Sequence, residues 1–157
     1  MKAIIFIIIN LLLSIQSFSQ KYEYISFYYD HSLMPKKIQI KAFLLQKDYM
    51  IDINYFEILN DNDTIILKDT TFTIKKITFD SLKEKFFQIS PLSLKKVIEI
   101  GSSNDGGVFT ITYGEIISKI SYCVWEIDSK EYKLEEFNSL IKYIFKICNL
   151  KYSKIVY

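Results

Sequence analysis

The chain has 157 residues, of which 50% are hydrophobic and 16% aromatic, and 20 basic and 18 acidic residues give it a formal net charge of +2. All the basic residues are lysines, so no side chain offers the planar bidentate grip with which arginine holds phosphate or guanine. Because the lysines also alternate with acidic residues, these numbers exclude nucleic acid as a predicted partner.

The first nineteen residues have the pattern of a secretory signal peptide. Lys2 gives a positive start, an apolar run follows from Ala3 to Leu13, and small residues at Ser17 and Ser19 precede Gln20. The run is shorter than the roughly 18 apolar residues of a spanning helix. We therefore expect a signal peptide over 1–19 and one exported domain over 20–157, periplasmic or extracellular, bacterial, and without a membrane span after leader cleavage. An uncleaved N-terminal anchor is the alternative.

Alternating apolar and polar residues predict half-buried strands of an antiparallel sheet in the first half of the domain. In one of them Ile38, Ile40 and Ala42 lie opposite Gln39 and Lys41. A run of Asn and Asp at 60–63 is typical of a turn, and a bulge is expected at 75–76, where two lysines adjoin. The predicted strands are residues 21–29, 37–46, 49–59, 64–67 and 71–79.

A short middle helix is predicted next. It begins at Ser81, because Glu84 three residues later completes a capping box, and it ends before Pro91. Three more strands then form a predicted meander, with a glycine-rich loop at 101–107 and a tight turn at Gly114. These strands are residues 94–100, 108–113 and 116–127.

The last helix is predicted to be long and amphipathic, and Asp128 or Ser129 would cap its start. Its apolar residues recur at helical spacing, and an apolar stripe of this width needs a sheet to cover. We therefore predict an α+β fold in which this helix packs on one face of the sheet. A membrane-surface helix is the alternative, but the polar face is mixed in sign rather than basic. The apolar residues are Leu134, Phe137, Leu140, Ile141, Ile144, Phe145 and Cys148.

The two cysteines, Cys123 and Cys148, permit one disulfide in an exported chain. Cys123 lies in a predicted strand and Cys148 on the apolar side of the last predicted helix, so a helix laid on the sheet would bring them near each other. The alternative is a pair of buried thiols that pack as small hydrophobic groups.

Motifs for catalysis or metal binding are weak. The Asp30-His31-Ser32 run contains three triad residue types, but neighbours in sequence point apart and triads are assembled from separated positions. The acidic turn at 61–63 resembles the start of a calcium loop and then departs from it at Ile65 and Ile66. We predict no catalytic residue, no metal site and no cofactor. A small exported hydrolase, built on carboxylates such as Glu99, Glu115 and Glu126, is an alternative function.

The aromatic content points to binding. Tyr22, Tyr24 and Tyr28 lie in the first predicted strand, where aromatic residues occupy both faces, so some of them must meet solvent, an edge or a partner. Tyrosine combines a large apolar ring with a hydrogen-bonding hydroxyl, which suits contacts with proteins or glycans. We predict an exported non-catalytic binding protein that uses these three residues. Cross-strand aromatic pairs inside the fold are the alternative explanation.

The chain resembles small exported bacterial proteins of unknown function. The resemblance is carried by the leader end at Ser17–Gln20, the Asp105-Gly106-Gly107 loop and the amphipathic segment Leu134–Leu150. Such proteins include periplasmic inhibitors and immunity proteins against secreted toxins. The resemblance therefore implies an immunity or inhibitor role as a second alternative, and it transfers no active-site residue.

Overall fold

Six antiparallel strands form one sheet in the order β4-β3-β2-β1-β5-β6. The computed structural model describes residues 22–31, 36–60, 63–92, 94, 107–115, 117–125 and 134–151. The strands are β1 Glu23–His31, β2 Lys36–Leu45, β3 Asp48–Asn60, β4 Asp63–Ile74, β5 Gly107–Glu115 and β6 Lys119–Trp125. Two helices have defined bounds, α1 Lys76–Gln88 and α2 Glu135–Ile147. The predicted α+β combination of antiparallel strands and helices is confirmed.

Strands β1 to β4 form an antiparallel meander, and the half-buried strands that their alternating sequences predict lie in it. Ile38 and Ile40 of β2, like Ile51 and Ile53 of β3, are buried on one face of the sheet. The β2–β3 hairpin closes on two residues, and Gln46, the first of them, has a positive φ of 58°. The predicted polar turn at 60–63 lies where the chain passes from β3 to β4, since Asn60, the last residue of β3, pairs with Asp63, the first of β4.

Both helices pack on the same face of the sheet. From α2, the ring of Phe145 lies 5.4 Å from Phe27 of β1. From α1, the ring of Phe86 stacks on Tyr122 of β6 with centroids 5.1 Å apart. The buried core therefore lies between this helix-covered face and the two helices.

Helix α1 begins five residues before its predicted start. Ser81 lies inside the helix, where its Oγ donates to the carbonyl of Ile77 (2.9 Å), and it does not cap the helix. The predicted strand over 75–79 is therefore also wrong at these positions. The buried residues Phe79, Leu82 and Phe86 recur at spacings of three and four, and burying this stripe outweighs the cap signal at Ser81. The predicted end before Pro91 is confirmed, since the helix stops at Gln88.

Strand β4 is one continuous strand rather than two. Its pairing with β3 shifts register beside Tyr55 and Phe56 and again between Ile58 and Asn60. The predicted bulge at 75–76 is wrong, because the strand has ended there and the chain enters α1. Leu94, expected to begin a strand, is helical, and residues 95–100 lie outside the described residues.

Of the predicted three-strand meander, the antiparallel pairing of β5 with β6 is confirmed, but the other neighbour of β5 is β1, the first strand of the chain, and not the predicted strand over 94–100. Gly114 lies within the paired part of β5, opposite Lys119, and does not form the turn. The hairpin closes one residue later, where the backbone N–H of Glu115 donates to the carbonyl of Ser118 (2.8 Å).

The predicted long C-terminal helix is wrong, because α2 has 13 residues, the same length as α1. Asn149 ends α2 by adopting a positive φ of 51°. The N–H of Asn149 donates to Lys146 and the N–H of Leu150 to Phe145, which is the Schellman pattern. The apolar stripe continues beyond both ends of the helix. A helix length predicted from the stripe is therefore too long. The proposed caps at 128–129 lie outside the described residues.

Candidate functional site

The second face of the sheet carries no described helix, and we call it the open face. Strand alternation directs Tyr24, Ser26 and Tyr28 of β1 to this face, while Ile25, Phe27 and Tyr29 enter the core. Neighbouring strands in register bring Gln39 and Lys41 of β2 to the same face. The open face is therefore where the predicted binding residues lie.

An aromatic cluster surrounds a lysine at one end of the open face. The Nζ of Lys41 lies 4.9 Å from the ring centroid of Tyr24, 5.6 Å from that of Tyr22 and 5.9 Å from that of Phe43. The Tyr22 and Tyr24 rings are themselves 5.7 Å apart, and Tyr22 is 36% exposed. These four residues, which we call the aromatic cluster, form a surface with an apolar body, phenolic hydroxyls and one cation.

The position of Tyr24 depends on a glycine. A Cβ added to Gly114, its partner on β5, would lie 2.3 Å from the Tyr24 ring. The ring therefore lies against bare backbone, and any side chain at this position would displace it. Gly114 thus supports the aromatic cluster from the neighbouring strand.

Tyr28 has different neighbours. Its hydroxyl donates to Asp30 Oδ2 (3.3 Å), which also accepts from Lys37 Nζ (2.7 Å). Burial and the nearby Asp30 charge raise the pKa of Tyr28, although Lys37 opposes them. The hydrogen bond to Asp30 in turn raises the pKa of Lys37. Tyr28 therefore belongs to a polar group four residues along β1 from Tyr24.

The structure thus brings Tyr22 and Tyr24 together and leaves Tyr28 apart. Sequence reasoning missed Lys41 and Phe43 as site residues. Alternation placed Lys41 on the solvent side of its strand, but only the β1–β2 register puts it beside Tyr24. That register is not legible in the sequence of either strand alone.

An open cavity of about 310 Å³ lies at the β5–β6 hairpin, beside the aromatic cluster. This volume is at the lower end of the range for small-molecule sites. Its lining offers one phenol ring with its hydroxyl, one carboxylate, one aliphatic hydroxyl, one ammonium group and one aliphatic side chain. The lining residues are Tyr24, Glu115, Ile117, Ser118 and Lys119.

A charged network ties α1 to the sheet on the helix-covered side. Lys83 Nζ donates to Glu23 Oε2 (3.1 Å) and lies 5.3 Å from the Tyr113 ring, whose hydroxyl donates to Glu115 Oε1 (2.7 Å). Burial lowers the pKa of Lys83, but hydrogen bonds with Tyr113 and Glu23 outweigh it and the net shift is upward. Burial and the bond to Glu115 raise the pKa of Tyr113. The network holds a mostly buried carboxylate next to a cation.

This network contains the carboxylate pair that the structure offers to a hydrolase. Glu23 and Glu115 are directly paired across β1 and β5. Each already has a donor, Lys83 for Glu23 and the Tyr113 hydroxyl for Glu115. The arrangement is that of a structural tie between helix and sheet. Glu99 and Glu126 lie outside the described residues.

The two cysteines are thiols rather than halves of a disulfide, and they lie on opposite faces of the sheet. Cys123 is exposed on the open face, paired with Thr110, whose Oγ1 lies 3.7 Å from its sulfur. Cys148 is buried at the end of α2. The predicted bridge is absent because Cys123 points away from the helix that carries Cys148. The alternative prediction, that both cysteines are buried thiols, is confirmed for Cys148 and wrong for Cys123.

The remaining sequence candidates do not assemble into a site. Asp30 points to the open face and His31 to the other, where its ring lies 6.4 Å from Tyr29. Ser32, the turn at 61–62 and loop residues 101–106 lie outside the described residues. Over the described ranges, no three His, Cys, Asp or Glu side chains gather in a metal-binding group.

No described helix is both long enough and apolar enough to cross a membrane. Comparison with known proteins finds neither a family model nor a curated protein that matches this chain.

Proposed function

We propose that the protein is an exported, non-catalytic binding protein whose contact surface is the open face of the sheet, and that its partner is a protein or a glycan. The observation that carries the proposal is the aromatic cluster, in which Lys41 lies within 6 Å of three ring centroids on a face that no described helix covers. An immunity or inhibitor role is the form of this proposal in which the partner is a secreted toxin.

The cluster suits a contact surface for two reasons. Its rings offer apolar area at low entropic cost, and the tyrosine hydroxyls and the Lys41 ammonium supply directional hydrogen bonds at its border. The cluster is also held in place before any partner arrives, because Tyr24 lies against Gly114 and Lys41 links rings from two strands. Preorganisation of this kind lowers the entropic cost of binding.

The test compares residues 20–157 carrying Tyr24→Ser and Tyr28→Ser with the unmodified domain. Both proteins are immobilised and exposed to a panel of polysaccharides and to periplasmic extract, and retained material is quantified. A matched control, Phe87→Ser, removes an exposed aromatic ring from α1, away from the open face. We expect the double variant to lose about tenfold or more in affinity, and the control to retain binding. Unchanged recovery by a folded double variant would contradict the proposal.

A further inference from the structure

The strand register aligns polar side chains into a belt across the open face. One row takes one residue from each of the six strands, and every member is polar or charged. In order from β4 to β6 it consists of Thr71, Asp52, Lys41, Ser26, Thr112 and Ser121. The next row is also polar or weakly polar throughout, and consists of Asp69, Asn54, Gln39, Tyr28, Thr110 and Cys123.

Hydrogen bonds order the belt at several points. Asp52 accepts from Thr71 Oγ1 (2.9 Å) and from Asn54 Nδ2 (3.0 Å). The hydroxyls of Thr112 and Ser121 lie 2.8 Å apart. Strands spaced about 4.8 Å apart make the belt roughly 24 Å long. It is therefore an ordered array of donors and acceptors with the length of an oligosaccharide.

Rings and aliphatic groups border the belt on both sides. The row before it contains Tyr24, Phe43 and Met50 as well as Thr73, Gly114 and Lys119, and the row after it contains Val108 and Trp125 as well as Asp30 and Lys37. Sugars present hydroxyls at their edges and apolar C–H groups on their faces. A polar belt flanked by these rings and aliphatic groups offers both kinds of surface.

The charges on these rows balance. The four rows contain three lysines and three aspartates, which are Lys37, Lys41, Lys119, Asp30, Asp52 and Asp69. Lys37 and Asp30 form an ion pair at 2.7 Å. Asp48, in the next row out, adds one more carboxylate. Because charges of both signs are interspersed and nearly equal in number, the face has only a weak long-range field to attract a polyanion or polycation, and this favours an uncharged ligand.

The composition of the belt also argues against a protein partner. Cores of protein–protein interfaces are enriched in aromatic residues, Met and Arg, and are depleted in Ser, Lys and Asp. Here Ser26, Lys41 and Asp52 lie in consecutive strands at the centre of the face. A protein docked on this surface would have to desolvate all three.

We infer that the open face binds an extended neutral glycan that lies across the strands along the polar belt. This inference rests on the proposed function and specifies its ligand class. Thr112, Thr110 and Ser26 contact sugar hydroxyls, Lys41 donates to them, and the bordering rings of Tyr24 and Trp125 contact sugar faces.

The test measures binding of residues 20–157 by calorimetry to neutral glycans (laminarin, glucomannan, xyloglucan) and to acidic ones (alginate, polygalacturonate). The belt variant carries Thr110→Val and Thr112→Val, which remove hydroxyls at constant shape. The matched control carries Thr78→Val on α1. We expect a neutral glycan to bind, the belt variant to lose about tenfold in affinity, and the control to lose none. Raising salt from about 50 to about 500 mM should change the affinity less than about twofold.

Four outcomes would overturn the inference. Binding only to acidic glycans, with loss at high salt, would show that charge and not the neutral belt selects the ligand. Equal affinity of the belt variant and the control would show that the belt does not contact the ligand. Failure of every glycan, together with capture of a protein that depends on Tyr24 and Tyr28, would overturn the glycan inference and leave the proposed function standing. Failure of both kinds of partner would overturn both.

Discussion

The two faces of the sheet use aromatic residues in different ways. On the helix-covered face, Phe27 of β1 contacts Phe109 of β5 and Phe145 of α2, and all three are at most 2% exposed. On the open face, Tyr22, which immediately precedes β1, and Tyr24 of β1 contact a lysine and remain partly exposed. Packing within the fold therefore explains the first set, and the second set belongs to the surface that we propose as a binding surface.

The largest difference in the free energy of unfolding is expected between variants at two neighbouring residues of β1. Phe27→Ala should lower the free energy of unfolding by about 3–5 kcal/mol, because it leaves a cavity between sheet and α2. Tyr28→Ala, one residue along and on the open face, should cost about 1 kcal/mol. Urea unfolding of both variants measures the difference. Equal losses would mean that the open face is as much a core as the other face.

The two faces also differ in their ion pairs. Lys83→Met should cost about 2 kcal/mol, because it removes a charged hydrogen-bond donor from Glu23, which is only 8% exposed. Lys37→Met breaks the open-face pair with Asp30 and should cost less than about 1 kcal/mol. Urea midpoints at neutral pH test this order, and a larger loss for Lys37→Met would reverse the comparison.

The Lys83 pair also predicts a loss of stability in alkali. The folded-state pKa of Lys83 lies above its ordinary value of 10.5, so its stabilising contribution is complete below that value and disappears as pH rises through the folded-state pKa. The raised pKa of Tyr113 acts in the same direction. The urea midpoint should therefore be lower at about pH 11 than at about pH 8, and this difference should be smaller in Lys83→Met. An identical fall in that variant would exclude Lys83 as a cause.

The smallest effect on stability is expected at the exposed thiol. Cys123→Ser should change the free energy of unfolding by less than about 0.5 kcal/mol. A thiol reagent should modify Cys123 in the folded protein and Cys148 only after denaturation, because Cys148 is buried. Mass spectrometry counts the adducts. A protein that gains none before reduction would contain a bridge and contradict the arrangement on opposite faces.

The sequence predicted what depends on local periodicity and missed what depends on register. Alternation correctly assigned Ile38 and Ile40 to the buried side, because a half-buried strand needs that pattern. The start of α1 was missed because Ser81 and Glu84 mimic a cap within a helix. Tyr22 and Tyr24 of the aromatic cluster were predicted, and Lys41 and Phe43 were missed. Lys41 comes close to Tyr24 only through the pairing of β1 with β2.

The pairing of β1 with β5 has a consequence for the order of folding. Strands β1 to β4 follow one another along the chain, and β5 and β6 form a separate local hairpin, so both units can form from nearby segments. Joining them requires Tyr24 to meet Gly114, which closes a long loop at a large entropic cost. Until then the outer edge of β1 exposes its backbone N–H and C=O groups and is a template for pairing with other chains. Docking of the hairpin is therefore the expected slow step, and the step at which newly made chains are most prone to aggregate.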